Sequence, residues 1–261
     1  MDTQEKNGVF RVSTFLVFVF SVSMSWLTPE IANSGFTAWQ EKADKGREIL
    51  RQAVQAAGGV ATFKKLENFT IKTESEITGR QVKTRLTVTE TMQLPDKTKQ
   101  IMELDAGTRI QVLNGNDSWK QINNDVSDVS ALEKKEMQRG VFRDMRNLFK
   151  HFESAELKVT YLSQQVVAGK NFHVLQIKDF TGDFFNLYID ADTFLIHKMT
   201  YRGAAEVDLA KMEEIYSDYR EVDGIKIPFH IIVKANGRQF IDAVVIEAEI
   251  NSELDKEFFY Q

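Results

Sequence analysis

From Phe69 to Ile250 apolar and polar residues alternate along most of the chain. The clearest stretch is Ile225, Ile227, Phe229, Ile231 and Val233, where every second residue is apolar, as in a strand with one buried face. The runs are punctuated by Thr78-Gly79, Ala106-Gly107, Asn114-Gly115, Asp223-Gly224 and Asn236-Gly237. Asn-Gly and Asp-Gly suit the positive φ angles of tight hairpins. The pattern predicts strands near 69–78, 81–93, 98–105, 108–113, 118–122, 157–167, 171–179, 184–190, 194–202, 210–220, 225–235 and 238–250.

Two stretches follow a helical period instead. Thr37 is positioned to cap a helix over 38–57 that Gly58-Gly59 stops, with Trp39, Ala43, Gly46, Leu50, Ala53, Val54 and Ala57 on one stripe. A short helical turn, Val60 to Leu66, follows. The second stretch, 129–152, places Val129, Leu132, Glu136, Met137, Val141, Met145, Leu148, Phe149 and Phe152 on its inner face, with Gly140 weakening or bending it. The order is helix, five strands, helix, seven strands. Nearly all links are short, so the strands form an antiparallel meander.

An area comparison gives this order a functional meaning. Twelve strands about 4.8 Å apart and about 30 Å long present a face on the order of 1,600 Å². Two helices about 10 Å across cover roughly 600 Å² of it. The sheet must therefore curl, pack as a sandwich or leave room for an apolar guest. Nineteen Phe and eight Met suit a deformable lining, and they suit a packed core equally.

Composition narrows the classes. The net charge is −5 with both signs interspersed, which gives no field for a polyanion and argues against nucleic acid. The absence of Cys excludes disulfides, thiolate sites and a lipid-modified cysteine. Residues 1–34 read as an address: Lys6 and Arg11 precede the apolar run Val12–Leu27, and Ala32-Asn33-Ser34 offers the small residues of a cleavage site. This segment is either a signal peptide or a retained inner-membrane anchor. Residues 35–261 are then the single folded domain, outside the cytoplasm.

Catalytic patterns are missing. The sequence has no phosphate loop, no Gly-x-Gly-x-x-Gly and no Gly-x-Ser-x-Gly elbow, and its four histidines stand singly. Each reads as an ordinary surface or satisfied side chain, and whether a curved sheet brings His173 and His230 together is left open by the sequence. Asp190-x-Asp192 reads as a turn, and Asn123, Asn124, Asp125 and Asp128 as a loop and helix cap. Glu214 and Asp218 share a face of a period-two strand and read as a solvated outer surface, without Glu213. No catalytic residue, metal or cofactor is expected, and the chain is read as no enzyme.

Three segments carry a family resemblance. Glu213–Phe229 (EEIYSDYREVDGIKIPF) resembles a hairpin signature of the outer-membrane lipoprotein-sorting, or LolA-like, superfamily. Leu187–Lys198 is similar to its strand–turn–strand element, and Ile49–Gly59 to its start. The resemblance spans roughly residues 45–258. It implies a mainly β, unclosed half-barrel with a helical lid over an apolar cavity that receives acyl chains. It further implies a periplasmic carrier of a lipid or lipoprotein, or alternatively an envelope-stress sensor that binds an envelope protein partner. Met145, Leu148 and Phe149 are the expected lid residues and Ile227, Phe229 and Ile231 the expected wall. Plain core packing is the competing reading for all six.

Overall fold

The computed structural model describes residues 29–79, 83–205 and 208–260. Residues 38–261 form one compact unit and residues 1–37 another. Of the expected leader, residues 1–28, with the run Val12–Leu27, lie outside the described residues. Among the described residues no helix is long and apolar enough to cross a membrane.

The strands are β1 (Asn68–Thr78), β2 (Lys83–Gln93), β3 (Lys97–Leu104), β4 (Gly107–Asn114), β5 (Asp117–Ile122), β6 (Asp125–Asp128), β7 (Lys158–Val167), β8 (Lys170–Lys178), β9 (Phe184–Asp190), β10 (Ile196–Ala205), β11 (Asp208–Val222), β12 (Ile225–Ala235) and β13 (Arg238–Ile250). They make one antiparallel sheet in the order β6-β5-β4-β3-β2-β1-β13-β12-β11-β10-β9-β8-β7. Hairpin turns account for most neighbours. Asp223-Gly224 and Asn236-Gly237 have φ values of 48°, 80°, 49° and 80°, the left-handed pair that a two-residue hairpin demands. The exception is β1 against β13, where Phe69 faces Ile250 and the first strand joins the last. The edges β6 and β7 do not pair with each other, so the sheet stays open.

All twelve expected strands are present. The thirteenth, β6, replaces the expected acidic loop. Its residues are exposed and carry no apolar alternation; pairing with β5, Ile122 to Asp125 and Trp119 to Asp128, forms it.

Helix α1 (Pro29–Ala56) begins before Thr37, the expected cap. Proline lacks the N–H that a first helical turn leaves unpaired, which favours this start. Ile49, Leu50, Ala53 and Val54 of α1, with Ala57 just beyond it, are buried, whereas Trp39 is 69% exposed and lies off the stripe. The helix crosses the sheet edge at Gly46, where a Cβ would come within 2.9 Å of the Tyr161 backbone nitrogen of β7, and residues 38–42 project past it exposed. At the other end a Cβ on Gly58 would meet the Gly224 carbonyl at 2.4 Å, and Lys226 N donates to the Ala57 carbonyl at 2.7 Å. The first and third resembling segments thus touch. Helix α2 (Val60–Lys65) follows.

The expected helix 129–152 is two helices, α3 (Ala131–Arg143) and α4 (Met145–Lys150). The break falls at Asp144 and not at Gly140. Asp144 has an extended ψ of 128°, and its Oδ1 accepts from the backbone N–H groups of Arg146 and Asn147, capping α4. Side chains of all four helices share one hydrophobic cluster with the strands, including Leu50, Phe63, Val141, Phe149, Leu187 and Ile227.

Candidate functional site

The chain leaves the sheet at β6, passes through α3 and α4, and re-enters at β7, the opposite edge. These two helices roof a cavity of about 910 Å³. The roof is tied down at several points. A capping box opens α3: Ser130 Oγ accepts from Glu133 N at 3.2 Å, and Glu133 Oε2 accepts from Ser130 N at 2.8 Å. Glu133 also pairs with Lys120 of β5 at 2.8 Å; that bond and the capping bonds hold its carboxyl down at about 2. Arg139, 7% exposed, bonds Glu136, Asp183 and Thr181 and lies 3.4 Å from Asp179, fixing α3 to the β8–β9 loop. Asn147 donates to the Pro95 carbonyl at 3.0 Å, joining α4 to the β2–β3 turn.

The cavity has two unlike walls. One is apolar, with Met199 of β10, Ile227, Ile231 and Val233 of β12, and Ile241 and Val245 of β13. The other is mixed: Thr73 and Ser75 of β1, Glu90 of β2, Thr98 and Gln100 of β3, and Arg109 and Gln111 of β4 stand among Ile71, Val88 and Met92. Met137, Met145 and Phe149 face down from the roof. The alternation in β2 explains Glu90: Leu86, Val88, Glu90 and Met92 share one face, so the carboxylate follows its apolar neighbours inward. Burial, then the charge of Asp144, pushes the Glu90 carboxyl up to about 7, with Glu214 adding to it and Arg146 opposing.

Further charged and phenolic groups line the same space. The Arg146 guanidinium pairs with Asp144, Nε to Oδ1 at 3.0 Å and Nη2 to Oδ2, and lies 3.7 Å from the centre of the Phe69 ring. Glu214 accepts from Tyr201 Oη and Tyr216 Oη, each at 2.6 Å. Burial, reinforced by Glu214, raises both phenols above their ordinary range. Arg143 stacks over the Tyr201 ring at 4.0 Å.

Of the six expected site residues, Met145, Phe149, Ile227 and Ile231 border this cavity. Leu148 borders a second one of about 620 Å³, which Pro95, Phe142, His151 and Phe180 also line. Phe229 is buried in the core, with the Arg220 guanidinium 4.5 Å from its ring, and lines neither. Glu214 corrects the expected solvated face. Asp218, at φ 52°, interrupts the alternation of β11, so Met212, Glu214 and Tyr216 turn inward while Asp218 stays exposed beside Arg220.

Elsewhere the polar residues serve structure. Asp190 Oδ1 accepts from Asp192 N and Thr193 N, a turn as expected. His230 bonds Asp242 and Ser217, while His173 stacks on Phe194, so the two do not converge. Among the described residues no group of three or more carboxylates or histidines is placed to hold a metal ion.

No protein-family model matches the sequence, and no curated protein matches it. Solved structures do match in shape. A LolA superfamily protein from Nitrosomonas europaea superposes with a TM-score of 0.59 at 11% identity, over 83% of this chain and 97% of that one. A DUF1329 family protein from Desulfovibrio piger gives 0.57 at 10% identity, over 84% and 97%. A putative outer membrane lipoprotein-sorting protein domain from Vibrio parahaemolyticus gives 0.55 at 12% identity, over 84% and 97%. Identities this low speak to fold alone. On fold they agree with the open sheet and its helices: the chain has the LolA-like fold.

Proposed function

We propose that this chain is an extracytoplasmic binding protein, not an enzyme, that holds the acyl part of a lipid or lipoprotein beneath α3 and α4. One observation carries the reading: the cavity of about 910 Å³ between the roof and the apolar wall. That volume lies near the top of the range of roughly 300–1,000 Å³ typical of small-molecule sites. Burial of each CH₂ contributes about 0.8 kcal/mol, so a palmitoyl-length chain supplies on the order of 10 kcal/mol before ordering costs. The name of the Vibrio parahaemolyticus domain, which points to lipoprotein sorting, agrees with such a cargo. The basic residues and apolar run at the start of the sequence support export to the periplasm.

The test is native mass spectrometry of the chain purified without detergent, with uptake of a fluorescent fatty acid. Co-purifying lipid and saturable uptake are expected. Absence of both would end the proposal. Met145→Glu places a charge in the roof and should lower uptake about tenfold while the melting temperature moves by no more than about 4 °C. A larger loss of stability than of uptake would mark Met145 as core.

A further inference from the structure

The polar side chains of the mixed wall are not scattered. Glu90, Gln100 and Gln111 lie directly opposite one another across β2, β3 and β4, and all three line the cavity. Directly opposed residues share a face, so this is one continuous polar row. Neither glutamine side chain makes a hydrogen bond among the described residues, and Glu90 has no ion pair there. Beside Glu90, Thr98 is 6% exposed and also lines the cavity. Its hydroxyl is close enough to favour the ionised carboxylate, yet it forms no well-aligned hydrogen bond. A buried hydroxyl left without a partner carries a desolvation cost that a ligand would relieve.

The other carboxylates around the cavity are matched. Asp144 takes Arg146, Glu133 takes Lys120, Glu136 takes Arg139, and both oxygens of Glu214 accept from tyrosines. Of the guanidiniums, Arg146 is engaged by Asp144 and Arg143 by the face of Tyr201, while Arg109 of β4, like Lys226 of β12, is exposed and has no ion pair among the described residues. Glu90 is the carboxylate left over. A cation or a cluster of N–H donors seated against it would complete its bonding and relieve the burial that raises its proton affinity.

We infer that the cavity takes an amphiphile bearing an amine, whose nitrogen sits against Glu90 and Thr98 on the polar row while its hydrocarbon part lies along β10, β12 and β13 under the roof. The inference rests on the acyl-binding reading above and adds the head-group chemistry to it.

The experiment is isothermal titration calorimetry on the full chain, stripped of bound lipid, with dodecylamine, dodecanol and dodecanoate, which share one chain and differ in head group. The amine should bind about tenfold tighter than the alcohol, the advantage of a charge-assisted hydrogen bond, with the carboxylate weakest. In Glu90→Gln the amine should lose that advantage and bind no better than the alcohol. Thr98→Val, which leaves the charge in place, should weaken amine and alcohol alike. Equal binding of all three probes, or preference for dodecanoate, would overturn the amine assignment and leave the acyl-binding reading standing. An amine preference that survives in Glu90→Gln would overturn it too. If none of the three binds, the acyl-binding reading itself falls, and the amine with it.

Discussion

A carboxyl group that is harder to ionise in the folded chain than in the unfolded one makes stability depend on pH, and Glu90 is such a group. Below about 4.5 it is protonated in both states. Between 4.5 and its folded value of about 7, the unfolded chain releases the proton and the folded chain keeps it, so stability falls as pH rises through that window. The contribution is up to about 3 kcal/mol, reduced by whatever water enters the cavity. Urea unfolding at the two ends of the window should show this loss in the wild type and much less of it in Glu90→Gln. Equal slopes in the two proteins would place Glu90 in contact with bulk water. The inward turn of Glu90 was legible in the alternation of β2. That of Glu214 was not, because the positive φ of Asp218 changes which residues of β11 share a face, and nothing in the Ser217-Asp218-Tyr219 sequence announces it.

At the level of elements, the roof owes its place to polar ties as much as to grease. Arg139 is the charged tie that lies buried, and its partners lie on the β8–β9 loop as well as on its own helix. Arg139→Ala leaves Asp179, a carboxylate almost wholly enclosed, without its cation. A loss of about 3 kcal/mol is expected, together with faster amide exchange in α3 than in the sheet. Uniform acceleration across the molecule would show that Arg139 supports the whole fold and not the roof. Hairpins, helices and most boundaries were legible, because turn dipeptides and alternation are local. The break at Asp144 leaves no mark in the sequence, because the apolar period continues through it from Val141 to Met145 and Leu148. Strand β6 leaves none either, because a fully exposed strand of four residues has no apolar pattern and is formed by its neighbour alone.

For the whole molecule, the contact hardest to read is β1 on β13, which unites residues at opposite ends of the domain; no local signal specifies it. It leaves β1 and β13 at the middle of the sheet and β6 and β7 at its rims. Native-state hydrogen exchange should therefore be slowest in β1 and β13 and fastest in β6. The reverse order would contradict the strand order itself. The same arrangement makes α3 and α4 a strap between the two rims, since residues 129–157 are the only covalent bridge from β6 to β7. A strap has a length, and α4 sets part of it. Unwinding the six residues of α4 from a rise of about 1.5 Å to about 3.3 Å each would lengthen it by about 11 Å. With α4 wound, the strap ties the two rims at one span, and the cargo proposed for the cavity has to fit the girth that this span allows.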